Sequence, residues 1–205
     1  MKDKVYVVDH GVGNTVAIMN LLRKMGYSTE KVQSSDSLND VDYSQSKFIL
    51  PGVGSFNAGM NSLNERGLSR LLVEHATSGG HILGICLGMQ LLLESSEEGA
   101  VSGLGIIPGD LVRMESAYGF RVPHVGWEGI DVSNPDLLFD GLNRLRFYHN
   151  HSFALPSPSP YELAAIDYSK RYSVAIRKNN AIGVQFHPEK SHIDGQRILI
   201  NFLNQ

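Results

Sequence analysis

His81-Ile82-Leu83-Gly84-Ile85-Cys86-Leu87-Gly88-Met89-Gln90 is the stretch on which the fold turns. His81 to Ile85 is an apolar run of strand length, and Leu87 to Glu94 reads as a helix, so Cys86 stands on the joint between them. The joint has the form glycine-x-nucleophile-x-glycine, which sets a nucleophile on a tight turn at the end of a strand. Glycines flank it because side chains there would collide with neighbouring backbone. The sulfur then sits at a helix N-terminus, where the positive end of the dipole favours thiolate. The Leu87 N–H is free to face a developing oxyanion. A lone cysteine is ordinarily a buried structural residue; the elbow sets this one apart.

Reading outward, the same alternation continues upstream. Lys4 to Val8 is a buried strand ending at Asp9, followed by the turn His10-Gly11-Val12-Gly13-Asn14 with Asn14 as N-cap. In the next helix Ile18, Leu21, Leu22 and Met25 share one face, and Gly26 ends it. Ser28 to Gln33 and Lys47 to Leu50 are further strands, the latter cut off by Pro51-Gly52-Val53-Gly54. Helices follow at Phe56 to Leu63 and Leu68 to Thr77, with Gly79-Gly80 as the break before the cysteine strand. Strand and helix in turn imply a parallel sheet with helices on both faces. From Ile106 to Gly183 short strands and proline breaks take over, and Ile193 to Leu203 closes the chain as an amphipathic helix. The expected fold is α/β: a central, mainly parallel sheet flanked by helices, with a smaller antiparallel layer from the second half. Residues 1–205 read as a single domain, since no repeat, low-complexity tract or long linker divides them.

A second motif, Gly183-Val184-Gln185-Phe186-His187-Pro188-Glu189, supplies what a thiolate needs. An apolar strand runs into His187, and Pro188 halts the ladder. Glu189 falls on the same side as His187 if the chain stays extended. His187 is placed to take the thiol proton and return it to a departing amine, with Glu189 fixing its tautomer. Alone, this is an ordinary His-Pro-Glu turn; the cysteine elbow gives it meaning. The Pro51–Gly54 turn after its strand can aim backbone N–H groups at an anion, although such turns are common.

Composition narrows the function class. A net charge of −3 leaves no basic field for nucleic acid. No apolar run reaches the ~18 residues of a membrane span, and the N-terminus lacks the pattern of a signal peptide. One cysteine permits no internal disulfide, so a reducing cytoplasm is the expected location. His149 and His151 can share one side of a strand, but no third ligand stands at a telling spacing, so neither a metal nor any other cofactor is expected.

Together, Pro51-Gly52-Val53-Gly54-Ser55-Phe56, Gly84 to Gln90 and Gly183 to Ser191 resemble the class I (triad) glutamine amidotransferases. Asp9 to Asn14, Pro123-His124-Val125-Gly126-Trp127, Tyr148 and His151-Ser152-Phe153 extend the resemblance over nearly the whole chain, toward the branch of glutaminase subunits that serve imidazole glycerol phosphate synthases. The resemblance implies an enzyme in which Cys86, His187 and Glu189 hydrolyse glutamine through a glutamyl thioester. It implies Val53 and Leu87 as oxyanion donors, and Gly52, Gln90, Glu98, Ser152 and Phe153 as glutamine-binding residues. It further implies a heterodimer with a (β/α)₈ cyclase in histidine biosynthesis, which Asn14, Trp127, Tyr148 and Lys190 face and to which ammonia is channelled.

Two departures from the family pattern stand out. Glu128 follows Gly126-Trp127 where the family usually has asparagine, and His149-Asn150 replaces an aromatic-valine pair before His151. Close relatives in the family supply ammonia for amidino-sugar synthesis in surface polysaccharides, and Lys190-Ser191-His192 resembles that branch about as well. A stand-alone cysteine hydrolase acting on γ-glutamyl bonds is a third reading. The case for a partner is also chemical. Free ammonia in neutral water is mostly protonated and no longer nucleophilic, so it must pass on under cover. With the glutaminase parts assigned, the acceptor site is expected on another protein, joined through a patch near Trp127.

Overall fold

The computed structural model describes residues 4–38 and 46–205. Its first half alternates strand and helix: β1 Lys4–Val8, α1 Thr15–Lys24, β2 Ser28–Val32, β3 Lys47–Gly52, α2 Phe56–Glu65, α3 Leu68–Thr77, β4 His81–Cys86 and α4 Leu87–Leu91. Short strands follow: β5 Ser95–Ser96, β6 Asp110–Arg113, β7 His124–Gly129, β8 Asp131–Val132, β9 Arg146–His151 and β10 Phe153–Pro156. The chain closes with β11 Glu162–Asp167, β12 Arg171–Lys178, β13 Ala181–Val184 and α5 His192–Leu203.

Strands β2-β1-β3-β4-β13 run parallel and are followed by β12, β10, β6 and β5, with β11 and β8 added beyond β12. The expected mixed, mainly parallel sheet is present. The second half does less as a separate layer than expected. Most of its strands join the one sheet antiparallel, and only the β7–β9 ribbon stands apart.

Alternation along the strands builds two cores. Val5, Val7, Ile49, Leu83 and Ile85 pack with Ile18 and Leu22 of α1 and Ile198 and Phe202 of α5. Tyr6, Val8, Phe48, Leu50 and Ile82 face the other way, onto Met60, Leu63 and Leu72 of α2 and α3. Helices therefore cover both faces, as period-two burial on a parallel sheet requires. Asn14 caps α1 as expected, its side chain accepting from the Ala17 N–H at 3.4 Å.

Helix α4 stops at Leu91 rather than running to Glu94. The loop around Gly103 takes its carbonyls: the N–H groups of Leu104, Ile107, Gly105 and Gly103 donate to the carbonyls of Leu91, Leu92, Leu93 and Glu94. Tertiary donors thus satisfy groups that another helical turn would have used.

Candidate active site

The carboxyl ends of β3, β4 and β13 meet at one place. Gly52 lies across from Cys86 in the β3–β4 register, and Val184 lies across from Ile85 on the other side. Cys86 adopts φ 54°, ψ −109°, a strained conformation for a residue with a side chain. The flanking glycines are there for space. A Cβ on Gly84 would lie 2.6 Å from the Gly88 carbonyl oxygen, and one on Gly88 would overlap the Leu50 carbonyl. The strand-to-helix turn can hold Cys86 at this angle only because neither residue has a side chain.

His187 is buried and reaches the site differently from expectation. Strand β13 ends at Val184, and Pro188–Lys190 forms a 3₁₀ turn, so the chain is not extended through Glu189. A short helical turn brings Glu189 back instead: its Oε1 lies 2.9 Å from His187 Nδ1. The His187 N–H donates to the Tyr148 carbonyl at 2.9 Å, and Ser191 Oγ donates to the His187 carbonyl at 2.6 Å. The backbone of this residue is therefore pinned from two sides. Nδ1 faces the carboxylate, while Nε2 is buried and makes no hydrogen bond among the described residues. Burial alone would lower the His187 pKa. The neighbouring Cys86 sulfur and the Glu189 carboxylate outweigh it and raise the pKa to about 9. Gln185 Nε2 lies 3.8 Å from the Cys86 sulfur, which also faces the Asn150 carbonyl at 3.8 Å.

Beside the sulfur is a cleft of about 280 Å³. Val53, Cys86, Leu87, Gln90, Glu98, Ser152 and Phe153, all singled out in the sequence, line it. Gly52 backs the cysteine. Gln90 Nε2 donates to the Phe153 carbonyl and to Gln185 Oε1, both at 3.1 Å. Glu98 accepts the Phe56 N–H at 2.7 Å, which ties the cleft to the start of α2. Such an arrangement suits a small polar substrate attacked by a thiolate, with His187 moving the proton.

A family model, glutamine amidotransferase class-I, matches residues 6–205. The chain belongs to the class I glutamine amidotransferases. Among relatives in this family, imidazole glycerol phosphate synthase subunit HisH 2 of Pseudomonas aeruginosa is 39% identical over 97% of this chain and 98% of its own. Imidazole glycerol phosphate synthase hisHF, chloroplastic, of Arabidopsis thaliana is 38% identical over 98% of this chain, which spans 34% of that protein. The fold of PurLQS from Thermotoga maritima superposes with a TM-score of 0.71 at 22% identity, covering 100% of this chain and 99% of the other.

The cleft also takes in residues that the sequence motifs contained but to which they gave no site role. Gly54, Pro123, Asn150 and His151 also line the cleft, and Gln185 touches the sulfur. Gln185 sits inside the quoted histidine motif, and its place two residues before His187 was the signal for it. Pro123 and Asn150 stood in quoted stretches, but nothing local placed them at the cleft, because the β7–β9 ribbon reaches it from far along the chain. Around the rim, Lys190 Nζ sits 5.3 Å from the centre of the Tyr148 ring, and Trp127 meets Tyr148 edge-on at 6.3 Å. Asn14 is exposed at the start of α1, a helix that touches the Pro188–Lys190 turn.

Proposed function

We infer that this chain is the glutaminase subunit of an imidazole glycerol phosphate synthase in histidine biosynthesis, with residues 1–205 acting as one amidotransferase domain. The observation behind the chemistry is His187, set between the Cys86 sulfur and the Glu189 carboxylate at the edge of a substrate-sized cleft. The acceptor reading is supported by near-full-length relatives that bear this synthase's name, in preference to an amidino-sugar acceptor.

Glutamine enters the cleft with its backbone groups against Gly52, Gln90, Glu98, Ser152 and Phe153. The Cys86 sulfur, whose proton His187 holds, attacks the side-chain amide carbon. The tetrahedral oxyanion is met by the N–H groups of Leu87 and Val53. As the C–N bond breaks, His187 returns the proton to the nitrogen and ammonia departs, leaving a glutamyl thioester on Cys86. Water, deprotonated by His187, then adds to the thioester carbon. The C–S bond breaks and glutamate is released. Glu189 holds the imidazole in the required tautomer throughout and stabilises its charged form.

Ammonia is handed under cover to a (β/α)₈ cyclase subunit that docks on the rim formed by Asn14, Trp127, Tyr148 and Lys190. The plant relative, of which this chain spans about a third, supports a glutaminase that works joined to further machinery. The proposed location is the cytoplasm; among the described residues no helix is long and apolar enough to cross a membrane. Glutamate release by the purified chain, alone and with a cyclase subunit plus its nucleotide ligand, tests the reading. Stimulation that disappears in Cys86→Ala supports it. Full activity without any partner would favour a stand-alone hydrolase instead.

A further inference from the structure

We propose that His124, His149 and His151 form a binding site for a divalent transition-metal ion of the kind that takes imidazole ligands, Zn²⁺ foremost. The sequence offers no third ligand near His149 and His151, and the fold supplies one. In the β7–β9 ribbon His124 lies directly across from His151, and His149 is two residues back along the same strand. Cross-strand partners and residues two apart share a face, so all three imidazoles fall on one side of the ribbon. One ring nitrogen from each lies within 4.8 Å of those of the other two, and no other such group occurs among the described residues.

The spacing of His149 and His151 suits an ion, and His124, stacked on His149 at 4.9 Å, would turn its ring to complete the set. A tetrahedral centre with metal–nitrogen bonds of about 2.0–2.1 Å sets its ligands roughly 3.4 Å apart. His149 Nδ1 and His151 Nε2 are already 3.3 Å apart. His151 Nδ1 lies 3.0 Å from the Phe153 carbonyl and donates to it, the usual support for a ligating histidine, so Nε2 is the acceptor for His149 Nδ1, a lone pair that an ion would take over. His124 Nε2 faces Glu128 Oε2 at 3.9 Å, a nearby carboxylate that favours a cation at this cluster.

The cluster is poorly satisfied by protein alone. The three side chains are buried, yet His124 Nδ1 has no hydrogen-bond partner among the described residues. Glu128 and His149, two of the places where this chain departs from the family pattern, both belong to this cluster.

The test uses the full chain carrying Cys86→Ala, which removes the one thiol that competes for soft metals and makes the result independent of the glutaminase reading. The metal-free protein is titrated with Zn²⁺ by calorimetry and with Co²⁺ by visible absorption. One ion per chain is expected, with tetrahedral Co²⁺ bands. His149→Phe, which keeps a buried aromatic ring, should abolish both signals. Histidine NMR on the Cys86→Ala chain gives a second readout that needs no histidine variant. Zn²⁺ should move the ring nitrogens of His124, His149 and His151 far more than those of His187, which is a neighbour but not a ligand. Absence of saturable binding, equal binding in His149→Phe, or shifts confined to His187 would each overturn the proposal.

Discussion

The Val53 N–H donates to the Val12 carbonyl at 3.4 Å, so the proposed oxyanion donor from the β3 turn is engaged by its neighbouring loop. That leaves Leu87, also at the cleft wall, as the other proposed donor. The loss of a single oxyanion donor costs about 10²–10³ in kcat. The isolated chain should therefore turn glutamine over slowly, and docking of a cyclase that frees Val53 should raise kcat by that order. Steady-state glutamate release with and without the partner measures it, and equal rates in the two states would remove Val53 from the mechanism.

The pH behaviour of His187 gives a second prediction. Its pKa rises from 6.5 to about 9 in the folded chain, against burial, through Cys86 and then Glu189. Between those values the folded state holds a proton that the unfolded chain has lost. The stabilisation is complete below 6.5 and disappears as pH climbs through about 9. Glu189→Gln removes one of the two groups that raise the pKa. It should lower the value by about 1–3, as loss of an adjacent opposite charge does, and reduce kcat by about 10²–10⁴. NMR titration of the His187 ring follows the first effect and steady-state kinetics the second. An unmoved titration would mean that Glu189 does not govern this imidazole.

A third prediction concerns the elbow. Gly84→Ala places a Cβ 2.6 Å from the Gly88 carbonyl oxygen, so backbone must move. Overpacking of this kind costs about 1–3 kcal/mol. Gly88→Ala, aimed at the Leu50 carbonyl, should lie at or above the top of that range. Urea denaturation midpoints rank the two, and both should lose glutaminase activity because Cys86 is displaced. Wild-type stability in Gly88→Ala would show that the elbow is looser than its geometry indicates.

The elbow and the parallel half of the sheet were readable because their signals are local. Gly84, Cys86 and Gly88 lie within five residues, and β1, β3 and β4 are each followed by a helix. The Glu189 contact was foreseen on the wrong backbone, since a 3₁₀ turn rather than an extended chain delivers the carboxylate. The β7–β9 ribbon was not legible. Its register depends on pairing across a long loop, and period-two patterning does not say which strand it meets. That pairing puts His124 beside His151 and lays Pro123 and Asn150 over the cleft.

The last prediction tests the docking rim. Next to Trp127 is a groove of about 590 Å³, lined also by Arg144, Arg146, His192 and Ile193. Trp127 stacks on His192 at 5.0 Å and 9°, and Ile193 beside it is 75% exposed. An exposed branched aliphatic next to a half-buried tryptophan is the composition of an interface centre with a charged rim. Ile193 is in the first turn of α5, where an acidic residue is favoured by the helix dipole. Ile193→Asp should therefore leave the stability of the isolated chain within about 0.5 kcal/mol. Burial of that charge against a partner should weaken the complex by about 10–100-fold. Calorimetric titration with the cyclase measures the affinity, and denaturation of the free chain checks the fold. If the variant binds as tightly as the parent, the cyclase docks elsewhere, and Trp127 and Tyr148 lose their proposed role at the interface.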